Sequence, residues 1–255
     1  MARLQDKVAI ITGAASGQGR AAAVLFAAEG AKVVVSDVDT AGAEQTVQTI
    51  QDAGGTALFQ RADVSSAADA QAMVNAALSA FGGLDIMYNN AALWSGGNID
   101  NRVTELDESG WDQIMNVNLK GIFLCCKYAI PALIERGGGV IINTASVAGM
   151  VGSRQASHAY SASKGGVISL TRAMAAGYAR EQVRANVICP GGVDTPMIAP
   201  ILSTEQRAER FASAHPLGRM GTPDDIAHCA LYLASDEAAW VTGAIFPIDG
   251  GYSAQ

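Results

Sequence analysis

Short runs of β-branched and aliphatic residues alternate along the whole chain with longer stretches whose apolar positions recur at helical spacing. The runs at 7–12, 31–37, 56–63, 84–89, 140–145, 184–189 and 244–248 read as strands. The amphipathic stretches 18–29, 41–53, 67–81, 108–135, 158–180 and 223–234 read as helices. Strands such as Val8-Ala9-Ile10-Ile11 are apolar throughout, which demands a sheet covered on both faces. Strand and helix in alternation imply crossover units and a parallel sheet. The pattern therefore predicts an α/β chain, a single domain over 1–255, with seven parallel strands. An eightfold α/β barrel shares this alternation, so periodicity alone does not separate the two architectures.

The first turn separates them. The opening strand runs into Thr12-Gly13-Ala14-Ala15-Ser16-Gly17-Gln18-Gly19 and then an Ala-rich helix. Glycines at that place let the backbone turn tightly and approach a pyrophosphate, whose charge the helix N-terminus stabilises. The expectation is a doubly wound Rossmann fold binding a dinucleotide. Asp37 ends the second strand, where a carboxylate accepts from ribose hydroxyls and repels a 2′-phosphate. Ser16 and Val38 offer no cation to such a phosphate, so the expected cofactor is NAD rather than NADP.

Tyr160 and Lys164 are four residues apart at the start of a helix and project from one face, which Val167, Ile168, Thr171 and Met174 continue. A free tyrosine has a pKa near 10, so acid/base work near neutrality needs a drop of roughly 2 to 3 units, about 3 to 4 kcal/mol. An ammonium about 5 Å away at an effective dielectric of about 20 supplies roughly 3 kcal/mol. Lys164 is expected to lower the Tyr160 pKa.

Composition narrows the classes. With 49% hydrophobic and 16% charged residues the chain is globular, and 17 basic against 24 acidic residues, net −7, argue against nucleic acid or an anionic membrane as partner. Nothing after Met1 resembles a signal peptide, and the apolar stretches are interrupted, so a cytoplasmic protein is expected. Cys125, Cys126, Cys189 and Cys229 fit no disulfide or zinc spacing, and His158, His215 and His228 fit no metal motif; no metal is expected.

Taken in order, these motifs resemble the short-chain dehydrogenase/reductase family over essentially the whole chain. The matching pieces are the glycine turn, Asp63-Val64, Asn89-Asn90-Ala91, Asn118, Ser146, Tyr160 to Lys164, Pro190-Gly191-Gly192-Val193-Asp194-Thr195 and Asp249-Gly250-Gly251. The resemblance implies a tetrad: Tyr160 exchanges the proton with the substrate oxygen, Ser146 hydrogen-bonds that oxygen, Lys164 also holds the nicotinamide ribose, and Asn118 helps hold a proton-relaying water. It implies cofactor contacts from Gly13, Ser16, Gly17, Gln18, Gly19, Asp37, Asp63, Val64, Asn90, Ala91, Tyr160, Lys164, Pro190, Gly191, Val193 and Thr195. Two departures stand out: Ala92 replaces the family's usual glycine, and the Ser146 to Tyr160 interval is one residue longer than is common, within the loop 150–157.

The resemblance further implies a homotetramer, consistent with helices near 114–134 and 160–178 that are apolar or small nearly all round. The segment 194–222 is expected to form a lid whose Met197 and Ile198, with Trp94, Met150 and Val151, line the substrate cleft. Those walls are read as almost uncharged. The expected reaction is interconversion of a neutral, largely apolar, cyclic or bulky secondary alcohol with its ketone. Rival readings are an NADPH-dependent ketone reductase and an inactive nucleotide-sensing protein.

Overall fold

In the computed structural model, which describes residues 2–94, 99–152 and 157–255, the apolar runs become seven strands. They are β1 (Val8–Thr12), β2 (Lys32–Asp37), β3 (Thr56–Arg61), β4 (Ile86–Asn89), β5 (Gly139–Thr144), β6 (Val183–Pro190) and β7 (Ile245–Ile248). All pair in parallel in the order β3-β2-β1-β4-β5-β6-β7, which is the doubly wound arrangement and not a barrel.

Helices α1 (Gly17–Ala28), α2 (Thr40–Asp52) and α3 (Ala67–Phe81) follow the first three strands, and α4 (Glu108–Met115), α5 (Gly121–Glu135) and α6 (His158–Gly177) come next. Two more, α7 (Glu205–Ser213) and α8 (Pro223–Ala234), precede β7. One core joins the sheet to α1, α2 and α8, with Phe26, Ile50 and Leu233 buried; the other joins it to α3, α5 and α6, with Met73, Leu133 and Val167 buried. Local chemistry starts the helices: Asp39 caps α2, Ser66 caps α3, and Thr222 with Asp225 forms a capping box on α8.

The sequence reads 108–135 as one helix. The chain keeps it continuous but inserts a π-helical turn, Asn116–Lys120, between α4 and α5. Apolar periodicity does not register such a turn, since both helices on either side remain amphipathic. The run Glu108–Glu135 is also long and apolar enough to cross a membrane by length and composition alone, and just over half of its apolar window is buried inside the fold. The expected lid begins with a short 3-10 turn, Ala199–Leu202, followed by α7.

The candidate active site

The carboxyl ends of the central strands open into one cleft of about 1130 Å³. Its floor begins at the glycine turn. Thr12 Oγ1 accepts the N–H groups of Asn90 and Ala91, each at 3.1 Å, and the Asn90 amide donates back to Thr12 O at 3.1 Å. A Cβ on Gly13, whose φ is +66°, would stand 2.8 Å from Ala91 Cα, so only glycine lets β1 and the segment after β4 approach this closely. Ser16 precedes α1 without capping it through its side chain, which leaves the first-turn N–H groups of α1 without an intrahelical partner at the cleft. Gln18 Oε1 is buried in the same wall with no hydrogen-bond partner. An open helix N-terminus and an unmatched polar atom suit a dinucleotide, whose pyrophosphate accepts and whose ribose hydroxyls donate.

Gly13, Ser16, Gly17, Gln18, Asn90 and Ala91 all line this end, as do Asp63 and Val64. Asp37 lines it too, with Oδ2 accepting from Ala15 N–H at 2.9 Å and Oδ1 from Asp39 N–H at 3.0 Å. Each oxygen keeps a lone pair for a ribose hydroxyl. Gly19 is not among the residues that line the cleft: it is buried behind the wall, and a Cβ there would run into Gly13 O and the Asn90 amide, so glycine at this position lets the turn pack.

Further along the cleft stand Ser146, Tyr160 and Lys164, together with Pro190, Gly191, Val193 and Thr195. Ser146 sits just past β5, where Oγ accepts Ala148 N–H at 3.1 Å and interacts with the Tyr160 phenol. Lys164 is 1% exposed; its Nζ donates to Thr144 O at 2.8 Å and lies 5.5 Å from the centre of the Tyr160 ring. The expected fall in the Tyr160 pKa is not found. Burial pushes the phenol up to about 12, against a downward pull from Ser146, while burial lowers Lys164 from 10.5 to about 8. Burial is the largest influence on both groups, disfavouring the charged form of each.

Asn118 is fully buried and does not line the cleft. Its side chain accepts Leu93 N–H at 2.7 Å and donates to Leu93 O at 2.9 Å and Ser163 Oγ at 3.2 Å. Both amide hydrogens are used, so the side chain clamps the segment after β4 to α6 and has no donor left for a water.

Sequence reasoning missed Asp100. This buried carboxylate accepts the N–H groups of Ala159 and Tyr160 at 3.0 and 2.8 Å, capping the helix that carries the tyrosine. It lies some sixty residues from its partners, so no local spacing announces it.

At the substrate end, Leu93, Trp94, Val151, Met197 and Ile198 line the cleft as expected from sequence. Met150 does not: its side chain is 39% exposed outside the cleft wall. The residues 153–156 of the loop expected to absorb the extra residue lie outside those described. The expectation of nearly uncharged walls also fails, since Arg207, Arg210 and His215 line this end. Their spacing with Phe211 marks one helical stripe, a signal present in the sequence. Among the described residues, no group of three or more His, Cys, Asp or Glu is arranged to hold a metal ion.

The family model described as enoyl-(acyl carrier protein) reductase matches residues 13–253. The chain is 39% identical to a cyclohexanol dehydrogenase of Acinetobacter sp. (strain SE19), covering 99% of this chain and 97% of that protein. It is 40% identical to a cis-4-hydroxycyclohexanecarboxylate dehydrogenase of Sinomonas cyclohexanicum, covering 98% and 97%. A crystal structure assigned to the short-chain dehydrogenases/reductases, from Burkholderia xenovorans, superposes with a TM-score of 0.94 at 38% identity, covering 100% of this chain and 99% of that one.

Proposed function

Because the chain belongs to the short-chain dehydrogenase/reductase family, an oxidoreductase family that uses a nicotinamide dinucleotide, we propose that it is an NAD-dependent dehydrogenase of a cyclic secondary alcohol. The observation that carries this reading is the convergence of Tyr160, Ser146 and Lys164 in one cleft with the glycine cradle on one side and Leu93, Trp94 and Val151 on the other. Relatives named for cyclohexanol and for a hydroxycyclohexanecarboxylate support a ring as the substrate body.

The chemistry that a bound nicotinamide would supply is acceptance of the hydride from the carbinol carbon. The protein's own residues handle the proton and the geometry. Tyr160 exchanges a proton with the substrate oxygen, Ser146 holds that oxygen, and Lys164 brings a cation to the phenol and two further N–H donors for a ribose hydroxyl. Gly13, Gly17 and the N-terminus of α1 would hold the pyrophosphate, while Asp37 would take the adenosine ribose and disfavour a 2′-phosphate. Val193 and Thr195 would hold the carboxamide, and Asp63 and Val64 the adenine. The apolar walls and α7 act as a lid over 194–222 that keeps water from the reacting carbon.

An apolar face left on α5 and α6, with Phe123, Ile134 and Tyr178 partly exposed, supports a homotetramer. The test of the reaction is NAD reduction with cyclohexanol and related ring alcohols. Robust turnover with NAD is expected, and no turnover with any secondary alcohol and either nicotinamide cofactor would refute the proposal.

A further inference from the structure

The face that α7 turns to the cleft is cationic. Arg207, Arg210, Phe211, Ala214 and His215 all line the cavity, and their offsets of three, four, seven and eight residues form one helical stripe. Glu205 and Glu209, on the same helix, are absent from the cavity walls. Both arginines of the helix, exposed to solvent, thus stand among the residues that line the cleft, and both glutamates stand outside it.

Among the described residues neither guanidinium has a counterion. Among the described residues the ion pairs are made by Arg3, Arg136 and Arg219. Among the described residues the Arg207 guanidinium donates to the Ser203 hydroxyl at 3.2 Å, and the Arg210 side chain makes no hydrogen bond. Two like charges three residues apart on a helix repel each other. In a chain of net charge −7, with 24 acidic residues available, that repulsion goes unrelieved from within.

The position of α7 says which ligand would relieve it. His215, just beyond its end, accepts the N–H of Gly192 at 3.0 Å, which fixes the helix over the carboxyl end of β6. Asp37 closes β2, four strands away in the sheet order, or roughly 19 Å at about 4.8 Å per strand. The arginines therefore stand at the substrate end, apart from the adenosine ribose. Leu93, Trp94 and Val151 line the same cleft as Tyr160 and the two arginines.

We propose that Arg207 and Arg210 form an anion subsite, and that the substrate is a ring alcohol carrying a carboxylate remote from the carbinol. This rests on the reading of the cleft as an alcohol dehydrogenase site and replaces the neutral substrate expected from sequence. A planar carboxylate matches the guanidinium fork, so two charge-assisted contacts are available where one wall alone would only seat the ring.

The experiment compares cyclohexanol with 4-hydroxycyclohexanecarboxylate in wild type, Arg207→Gln/Arg210→Gln and the off-face control Glu209→Gln. Wild type is expected to favour the carboxylate at least 10-fold in kcat/KM. The double variant should lower that ratio at least 10-fold, chiefly through KM, and Glu209→Gln should preserve it. NADH affinity, read by fluorescence, should stay within twofold in the double variant. A wild-type ratio near one overturns the subsite while leaving the dehydrogenase reading intact, as does an equal loss on both alcohols in the double variant. A large loss of NADH affinity there also overturns it, by moving the guanidiniums onto the cofactor. No oxidation of either alcohol would overturn the reading on which the subsite rests.

Discussion

The carboxylate of Asp100 accepts the backbone N–H of Tyr160 at 2.8 Å. Its other oxygen takes Ala159 N–H at 3.0 Å, so one buried side chain satisfies two first-turn donors of α6 and sets where the phenol enters the cleft. Around it, Val103 N–H donates to His158 Nδ1 at 3.0 Å, tying the same segment to the same helix end.

Asp100→Ala should therefore cost about 1–2 kcal/mol, the usual worth of an N-cap, seen as a fall of a few degrees in Tm. Turnover should fall more than KM rises, because the tyrosine is displaced and the walls are not. Asp100→Asn, which keeps an acceptor, should recover part of kcat. Equal Tm and kcat in Asp100→Ala and wild type would show that the cap does not position the tyrosine.

Lys164 makes a pH-dependent contribution whose sign follows from its burial. Its pKa in the folded chain, about 8, lies below the ordinary 10.5, so the charged form is disfavoured on folding. The deficit is present below pH 8 and disappears as pH rises toward 10.5. Lys164→Met lacks it. Relative to that variant, wild type should gain about 3 kcal/mol of stability between pH 7 and pH 10.5, measured by urea unfolding. A difference independent of pH would mean that the ammonium titrates at its ordinary value.

The sheet, its parallel order and the glycine turn were legible because they rest on short-range signals: β-branched runs, helical periodicity, and glycines where a strand meets a helix. Tyr160 and Lys164 were legible as a pair because helical spacing alone puts them together. Asp100 was not, since its partners are brought to it only by the fold. Asn118 was placed at the site by motif, but the hydrogen bonds that consume its amide appear only once the π-helical turn sets it against Leu93 and Ser163. Met150 and Val151 are adjacent, and only the turn after β5 decides that Val151 faces the cleft and Met150 faces outward. Charge on the cleft wall was not legible from the apolar residues of 194–222, because it depends on which stripe of α7 the fold turns inward.

Asp37→Ala should narrow the preference for NAD over NADP at least 10-fold in the ratio of kcat/KM values, through loss of a ribose acceptor and of repulsion toward a 2′-phosphate. It should also loosen the turn, because Ala15 N–H and Asp39 N–H lose their acceptor. Wild type that used both cofactors equally well would remove the assigned role of Asp37.

In solution the protein should scatter light as a particle of about four times its 26.2 kDa chain mass. Phe123→Asp, on the outer face of α5, should shift it toward smaller species. A wild-type monomer at micromolar concentration would contradict the proposed assembly.

The central claim is that Tyr160 exchanges the proton with the substrate oxygen, and the most direct test is Tyr160→Phe assayed with cyclohexanol and NAD alongside NADH binding by fluorescence. Removing one hydroxyl should lower kcat at least 100-fold, the range for a lost acid/base group, with NADH affinity within threefold of wild type. A variant that keeps more than a tenth of wild-type turnover would contradict the account.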